Sequence, residues 1–237
     1  MPDAQPHQAH HNGETPMTLT EILATTRSML DDTATPYLWP DAELIVCLND
    51  RLSVLCAETL CITDSTTPQI CHVALAKGTA SYALDSRIVA IKRAVLVGTG
   101  TPLFKTTQDS LLRWYGLWQQ FEGTPAYYML DVQSGFITLH PIPERNDTVA
   151  LSVYRLPLTE MSAAFPNAEP EIPRRFNRAL INGILALAYE KSGSDTLNSE
   201  AAKTYRELWQ KGLDEIRRES LANGHASYSL NDIMGVI

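Results

Sequence analysis

Residues 87–97 read RIVAIKRAVLV. In an extended chain successive side chains point to opposite faces, so Val89, Ile91, Val95 and Val97 are expected on one face of a strand. Alternation of this kind begins near Gln69 and lasts to about Pro157. It predicts strands at 69–76, 80–84, 87–97, 126–131, 135–140 and 148–155. Lys77-Gly78, Gly98-Thr99-Gly100, Ser134-Gly135 and Asn146-Asp147 supply turn chemistry between them, and a short helix is expected at 109–121.

Upstream of this region the spacing is helical. Thr18 followed by Glu21 forms a capping box, and Leu19, Ile22, Leu23, Thr26, Met29 and Leu30 share a face. A second helix opens after Trp39-Pro40, where Asp41 and Glu43 suit the positive helix N-terminus, with a stripe of Leu44, Leu48, Leu52 and Leu55. Downstream, Pro173 opens a helix whose apolar face is Phe176, Leu180, Ile181, Ile184, Leu187 and Ala188, ending at Gly193. Asn198 caps a last helix from about Ser199 to Leu221, with Tyr205, Leu208, Trp209, Leu213 and Ile216 inward.

Neither helix pair can bury its stripe alone. The pattern therefore predicts an α+β fold, a helical bundle built from both chain ends with an inserted antiparallel β region. Its parts are a flexible arm at 1–17, a helical hairpin at 18–66, the β region at 67–158, a linker and two closing helices at 159–221, and a C-terminal docking arm at 222–237. That arm carries Tyr228, Leu230, Ile233, Met234, Val236 and Ile237 with one charged residue, Asp232, beyond Gly224. Such a segment suits docking on a neighbouring subunit or partner, or folding back on its own core.

Charge is unevenly placed along the 237 residues. The first 64 hold ten acids and two bases, which accounts for the whole net charge of −8; the rest balances at 17 of each. An acidic N-terminal quarter does not bind a nucleic-acid backbone by counterion release, but it can repel DNA from a wall or meet a basic partner. No run reaches the roughly 18 apolar residues needed to span a bilayer. Residues 1–17 lack the basic and apolar regions of a signal peptide, so the chain is expected to stay in the cytoplasm where it is made.

Catalytic signatures are missing. Gly98-Thr99-Gly100 follows a strand, but Pro102 and Leu103 replace what a dinucleotide fingerprint requires. No phosphate loop, H-E-x-x-H helix or G-x-S-x-G elbow occurs. Asp31-Asp32 and the pair Glu169 and Glu171 read as capping and loop residues. Cys47, Cys56, Cys61 and Cys71 match no zinc spacing and read as small buried hydrophobes, and His72 points away from Cys71. No metal or cofactor is expected. Trp114, Trp118 and Phe121 are placed on one helical face, more as core or subunit contact than as a base-stacking platform.

Five segments in order, TLTEILATTRSMLDDTATPYLWPDAELIVCLNDRL, YALDSRIVAIKRAVL, GTPAYYMLD, ITLHPIPERNDTVALSVYRLP and EIPRRFNRALINGILALAYEKSG, resemble the head-to-tail adaptors of short-tailed bacteriophages. The resemblance covers roughly residues 17–220. Pro40 stands where that family usually shows a Ser cap, and Asn177 where a His is common. The resemblance implies a structural virion protein, not an enzyme, forming a dodecameric ring at the head–tail junction and assembled in the host cytoplasm. Its implied partners are the portal protein, the tail nozzle or tail tube protein and copies of itself, with packaged double-stranded DNA passing through without sequence-specific binding and no membrane involved.

Within that frame, Asp31, Asp32 and Asp41 are expected at a ring or partner interface. Arg174, Arg175, Arg178, Arg217 and Arg218, with Lys203, Arg206 and Lys211, supply the complementary charge. Tyr228, Leu230, Ile233, Met234 and Ile237 form the docking arm. The alternatives are a virion-associated cell-wall glycan hydrolase and a single-strand nucleic-acid binder.

Overall fold

The computed structural model describes residues 17–191 and 197–224. Residues 1–16, the expected helix stop at Gly193 and the arm from Tyr228 to Ile237 lie outside them. The helices are α1 (Leu19–Leu30), α2 (Asp41–Thr59), α3 (Pro68–Cys71), α4 (Gln108–Tyr115), α5 (Asn177–Glu190) and α6 (Ser199–Gly224). Together with the ten strands among the described residues they make a mixed α+β protein. The described residues divide into two compact units, one made of the chain up to Leu55 together with the stretch from Thr159 to Ile216, the other of Cys56–Leu158 and the end of α6 from Arg217.

The first unit is helical. Thr18 and Glu21 close the capping box in both directions, the Thr18 N–H donating to Glu21 Oε2 at 2.8 Å and the Glu21 N–H to Thr18 Oγ1 at 3.3 Å. The polar stretch before α5 completes this helix start: Leu19 N–H donates to the Ala168 carbonyl at 2.8 Å and Thr20 N–H to that of Pro166 at 3.1 Å. Amides that α1 leaves without intrahelical partners are thereby satisfied. Asn49 of α2 holds the same stretch, its amide donating to the Met161 carbonyl and accepting from the Met161 N–H. The stripe Leu44, Leu48, Leu52 and Leu55 is buried throughout.

Helices α5 and α6 approach closely because small residues face large ones. A Cβ on Gly183 would stand 2.8 Å from the Trp209 ring, and one on Gly212 2.7 Å from the Ala179 Cβ. Two expected faces are corrected. In α1 the buried charged residue is Arg27, while Met29 is exposed. In α6 the stripe centres on Trp209, Leu213 and Ile216; Leu208 lies about 100° round the helix from Trp209 and faces outward.

The second unit holds β1 (Thr63–Asp64), β2 (His72–Leu75), β3 (Ser81–Ala83), β4 (Ile88–Leu96), β5 (Pro102–Lys105), β6 (Glu122–Gly123), β7 (Tyr127–Met129), β8 (Phe136–His140), β9 (Ile142–Pro143) and β10 (Asp147–Arg155). The main sheet runs β1-β10-β4-β5-β7-β8-β3, with β2 also on β10. The β region is rich in antiparallel pairs as expected, with two exceptions: β5 pairs β7 in parallel, as does β6 with β9. Parallel neighbours need a crossover, and α4 lies in the connection between β5 and β7.

Other strand limits shift for local reasons. The stretch 69–76 opens with the helical turn α3, whose Pro68 sits in the first turn, and extends only as β2. Strand β5 was hidden because it begins at Pro102, a residue that interrupts strands except at their start.

The segment RIVAIKRAVLV carries the largest correction. Against β10, Arg93 opposes Ser152 while Ile91 opposes Val153, so Lys92 is an extra residue; a second shift leaves Val89 extra. Each bulge reverses the facing of the residues beyond it. Ala94 and Leu96 are therefore buried and Val97 is exposed, whereas Ile88 and Ile91 pack on the core. The helix expected at 109–121 also breaks: α4 ends at Gly116, which has φ of 65°, and a 3-10 turn covers Trp118–Gln120. Trp118 is buried while Trp114 and Phe121 are exposed, so the three do not share a helical face.

Candidate functional site

Two of the three N-terminal carboxylates converge on one cation. Arg27, near the end of α1, donates through Nη1 to Asp32 Oδ2 at 2.7 Å, through Nε to Asp41 Oδ1 at 3.2 Å and through Nη2 to the Trp39 carbonyl at 2.8 Å. Its guanidinium also lies 3.6 Å from the Tyr37 ring centre. Asp32 accepts from the Leu38 and Trp39 amides at 2.9 and 3.2 Å. The Arg fork and the carboxylates thus knit the α1–α2 connection, with Asp32 buried and Asp41 half out. Asp31 stands apart as the left-handed C-cap of α1 with φ of 56°, its side chain exposed.

Arg174, Arg175 and Arg178 occupy the 3-10 turn and first turn of α5, all exposed, with the Arg175 guanidinium 4.7 Å from the Phe176 ring centre. Cations are disfavoured at a helix N-terminus, so this placement gives α5 no help. Arg217 donates to the Glu58 carbonyl at 3.0 Å, and its Nη2 lies 3.4 Å from the Glu58 carboxylate. Arg218 follows on the exposed side of α6. Further ion pairs join acids to bases around α5: Lys191 with Glu43 at 2.6 Å, and Arg206 with Glu190.

Two apolar surfaces complete the picture. A groove of about 440 Å³ lies between α2 and the end of α5, floored by Trp39, Leu44, Cys47 and Leu187, with Val46 on its rim at 68% exposure. Trp39 is fixed there by its indole N–H, which donates to the Ala188 carbonyl at 3.0 Å. In the other unit, Phe104, Leu112, Trp114, Tyr115, Leu117 and Phe121 are exposed. Some of these rings pack around Tyr127 and buried His140, Trp114 at 6.1 Å from Tyr127 and Tyr115 at 5.0 Å from His140. Several large exposed apolar residues in one region mark contact surfaces. Among the described residues no group of three or more His, Cys, Asp or Glu side chains is placed to hold a metal ion. Nor is any described helix long and apolar enough to cross a membrane.

The sequence matches the family model of the SU10 adaptor protein over residues 17–229. The chain belongs to the SU10 adaptor protein family. No curated protein matches it. The match spans both units and begins one residue before Thr18, the N-cap of α1. Membership in the SU10 adaptor protein family makes this a bacteriophage adaptor, a structural protein of the virion whose partners lie at the head–tail junction.

Sequence reasoning missed three features of this SU10 adaptor family member. Arg27 had a signal, as one of two bases among ten acids. Val46 had a faint one, an apolar residue of α2 outside its leucine stripe. Of the exposed aromatic group the sequence marked Trp114 and Phe121 as a possible subunit contact but not Phe104, Leu112 and Leu117 beside them, which a strand, a helix and a turn bring to the same surface.

Proposed function

We propose that this chain is the head-to-tail adaptor of a tailed bacteriophage, a dodecameric ring that joins the portal to the tail nozzle or tail tube and extends the DNA channel. The family match over residues 17–229 carries the reading. In this proposal the helices from both chain ends close as a bundle and pack side by side around the ring. Copies meet through the apolar groove beside Val46 and through exposed charge, with Asp31 and Asp41 on one side and Arg174, Arg175 and Arg178 on the other. Asp32 serves by holding Arg27, and Arg217 by holding Glu58, while Arg218 lies on the exposed side of α6.

Surface charge gives this reading a physical basis. The net acidity sits in the first 64 residues, and an acidic lumen lets DNA slide without sticking. Tyr228, Leu230, Ile233, Met234 and Ile237 form the arm that docks on the portal or an adjacent copy. Assembly takes place in the host cytoplasm.

Mixing the full chain with purified portal and imaging the product by electron microscopy tests the proposal. Rings stacked coaxially under the portal are expected. Portal left bare at saturating protein would overturn it, and hydrolysis of purified peptidoglycan or salt-sensitive single-strand binding would favour the rival functions.

A further inference from the structure

Cys56 and Cys61 bring their sulfurs to 4.0 Å. Cys56 is buried in the last turns of α2, and Cys61 follows the helix end, half-buried. Leu60 between them has φ of 55°, and its N–H donates to the Cys56 carbonyl at 3.1 Å. This left-handed turn reverses the chain at the helix end and returns Cys61 to the side of Cys56. The spacing matches no zinc motif.

We propose that Cys56 and Cys61 form a dithiol that hydroperoxides oxidise to an intrachain disulfide, with Cys61 attacking first and Cys56 resolving. In the first step the Cys61 thiolate attacks one peroxide oxygen. An S–O bond forms, the O–O bond breaks, and the departing oxygen takes a proton to leave as water or an alcohol. Sulfur is oxidised to a sulfenic acid and the peroxide is reduced. The Cys56 sulfur then attacks the Cys61 sulfur, the S–S bond forms, and the S–O bond breaks; hydroxide leaves with the Cys56 proton as water. The sulfurs must close to about 2 Å, and the irregular backbone of Leu60 and Cys61 supplies the movement.

The surroundings agree with this order. Cys61 is held below its ordinary thiol value, chiefly by its hydrogen bond with Cys56, with burial opposing and the Thr59 side chain assisting. Cys47 and Cys71 are pushed the other way, both first by burial, then by Asp50 and Asp64 respectively. The thiolate is the nucleophile, so reactivity falls on Cys61. The bond would tie the end of α2 to the segment entering β1.

Reduced full-length protein treated with hydrogen peroxide and cleaved after Arg51, Glu58 and Asp64 separates Cys56, Cys61 and Cys71 into different peptides. The expected product joins the Cys56 and Cys61 peptides with loss of two hydrogens, reversed by dithiothreitol. In Cys56→Ser, Cys61 should stop at a sulfenic acid that dimedone traps. Peroxide-treated wild type in which Cys61 reaches the sulfinic acid without joining Cys56, or in which the linkage involves Cys47 or Cys71, overturns the proposal. The wild-type map decides even where the variant fails to fold.

Discussion

Arg155 Nε lies 2.7 Å from Asp64 Oδ2, and each side chain is less than a tenth exposed. The pair joins the last residue of β10 to the two-residue strand β1, whose Thr63 and Asp64 oppose Tyr154 and Val153. Asp64 also accepts from the hydroxyl groups of Thr66 and Thr67 and from both their amides. Both carboxylate oxygens, stripped of water by burial, therefore have donors.

Asp64→Asn should destabilise the fold by about 3–5 kcal/mol, because Arg155 stays buried without its counter-charge. Burial alone would raise the Asp64 carboxyl, but the Thr67 hydroxyl, the Thr66 amide and Arg155 outweigh it and hold it well below the usual range. Asp85 is likewise lowered to about 2, first by Arg87. A depressed carboxylate stabilises above its unfolded value of about 4 and loses that stabilisation as pH falls through the folded value. Urea midpoints of wild type should drop below about pH 5, and the drop should be shallower in Asp64→Asn. An identical pH slope in the two proteins would contradict this.

Arg27→Ala removes the shared cation of Asp32 and Asp41, and a cost of about 3–5 kcal/mol is expected from the stranded Asp32 carboxylate. Arg27→Lys should recover only part of it, since an ammonium cannot hold two carboxylates and a carbonyl with a planar fork. Denaturant titration of both variants checks the ordering.

Gly183→Val tests the α5–α6 contact. The Trp209 ring would have to move, costing about 1–3 kcal/mol as overpacking does, while the gain in helix propensity offsets well under about 1 kcal/mol. Net destabilisation by thermal melting is expected, accompanied by a changed Trp209 environment in near-ultraviolet dichroism.

Val46→Glu should leave monomer stability within about 0.5 kcal/mol of wild type, because the residue is exposed. If copies meet through this groove as proposed, stacking on the portal should nevertheless fall at least about tenfold, as expected when a charge is buried in an apolar contact. Reversing Arg174, Arg175 and Arg178 together to Glu should do the same. Normal stacking by both variants would exclude these faces from the interface.

His140 is buried against Trp118, ring centres 6.0 Å apart. Burial lowers its pKa, with a hydrogen bond to the Trp118 backbone working the other way. A His depressed in the folded state stabilises while neutral, so stability should decline as pH falls below about 6.5. His140→Gln should flatten that decline, read from urea midpoints between about pH 6.5 and 5.

Local and periodic features were legible in the residues alone: the capping box at Thr18 and Glu21, the leucine stripe of α2, the Asn198 cap and the change from helical spacing to alternation at the β region. Each depends on neighbours within a turn or a strand, so the order of residues states it directly. The collinear resemblance from residue 17 onward likewise needed no coordinates to suggest an adaptor. The facing of RIVAIKRAVLV was settled only by the folded chain, because the bulges at Val89 and Lys92 arise from pairing with β10, a partner distant in sequence. So were the burial of Arg27, the parallel course of β5 and β7, and the inward turn of Trp118 while Trp114 stays outside. These outcomes depend on which distant groups are available to pair with a strand edge, a charge or a ring, and periodicity carries no record of that.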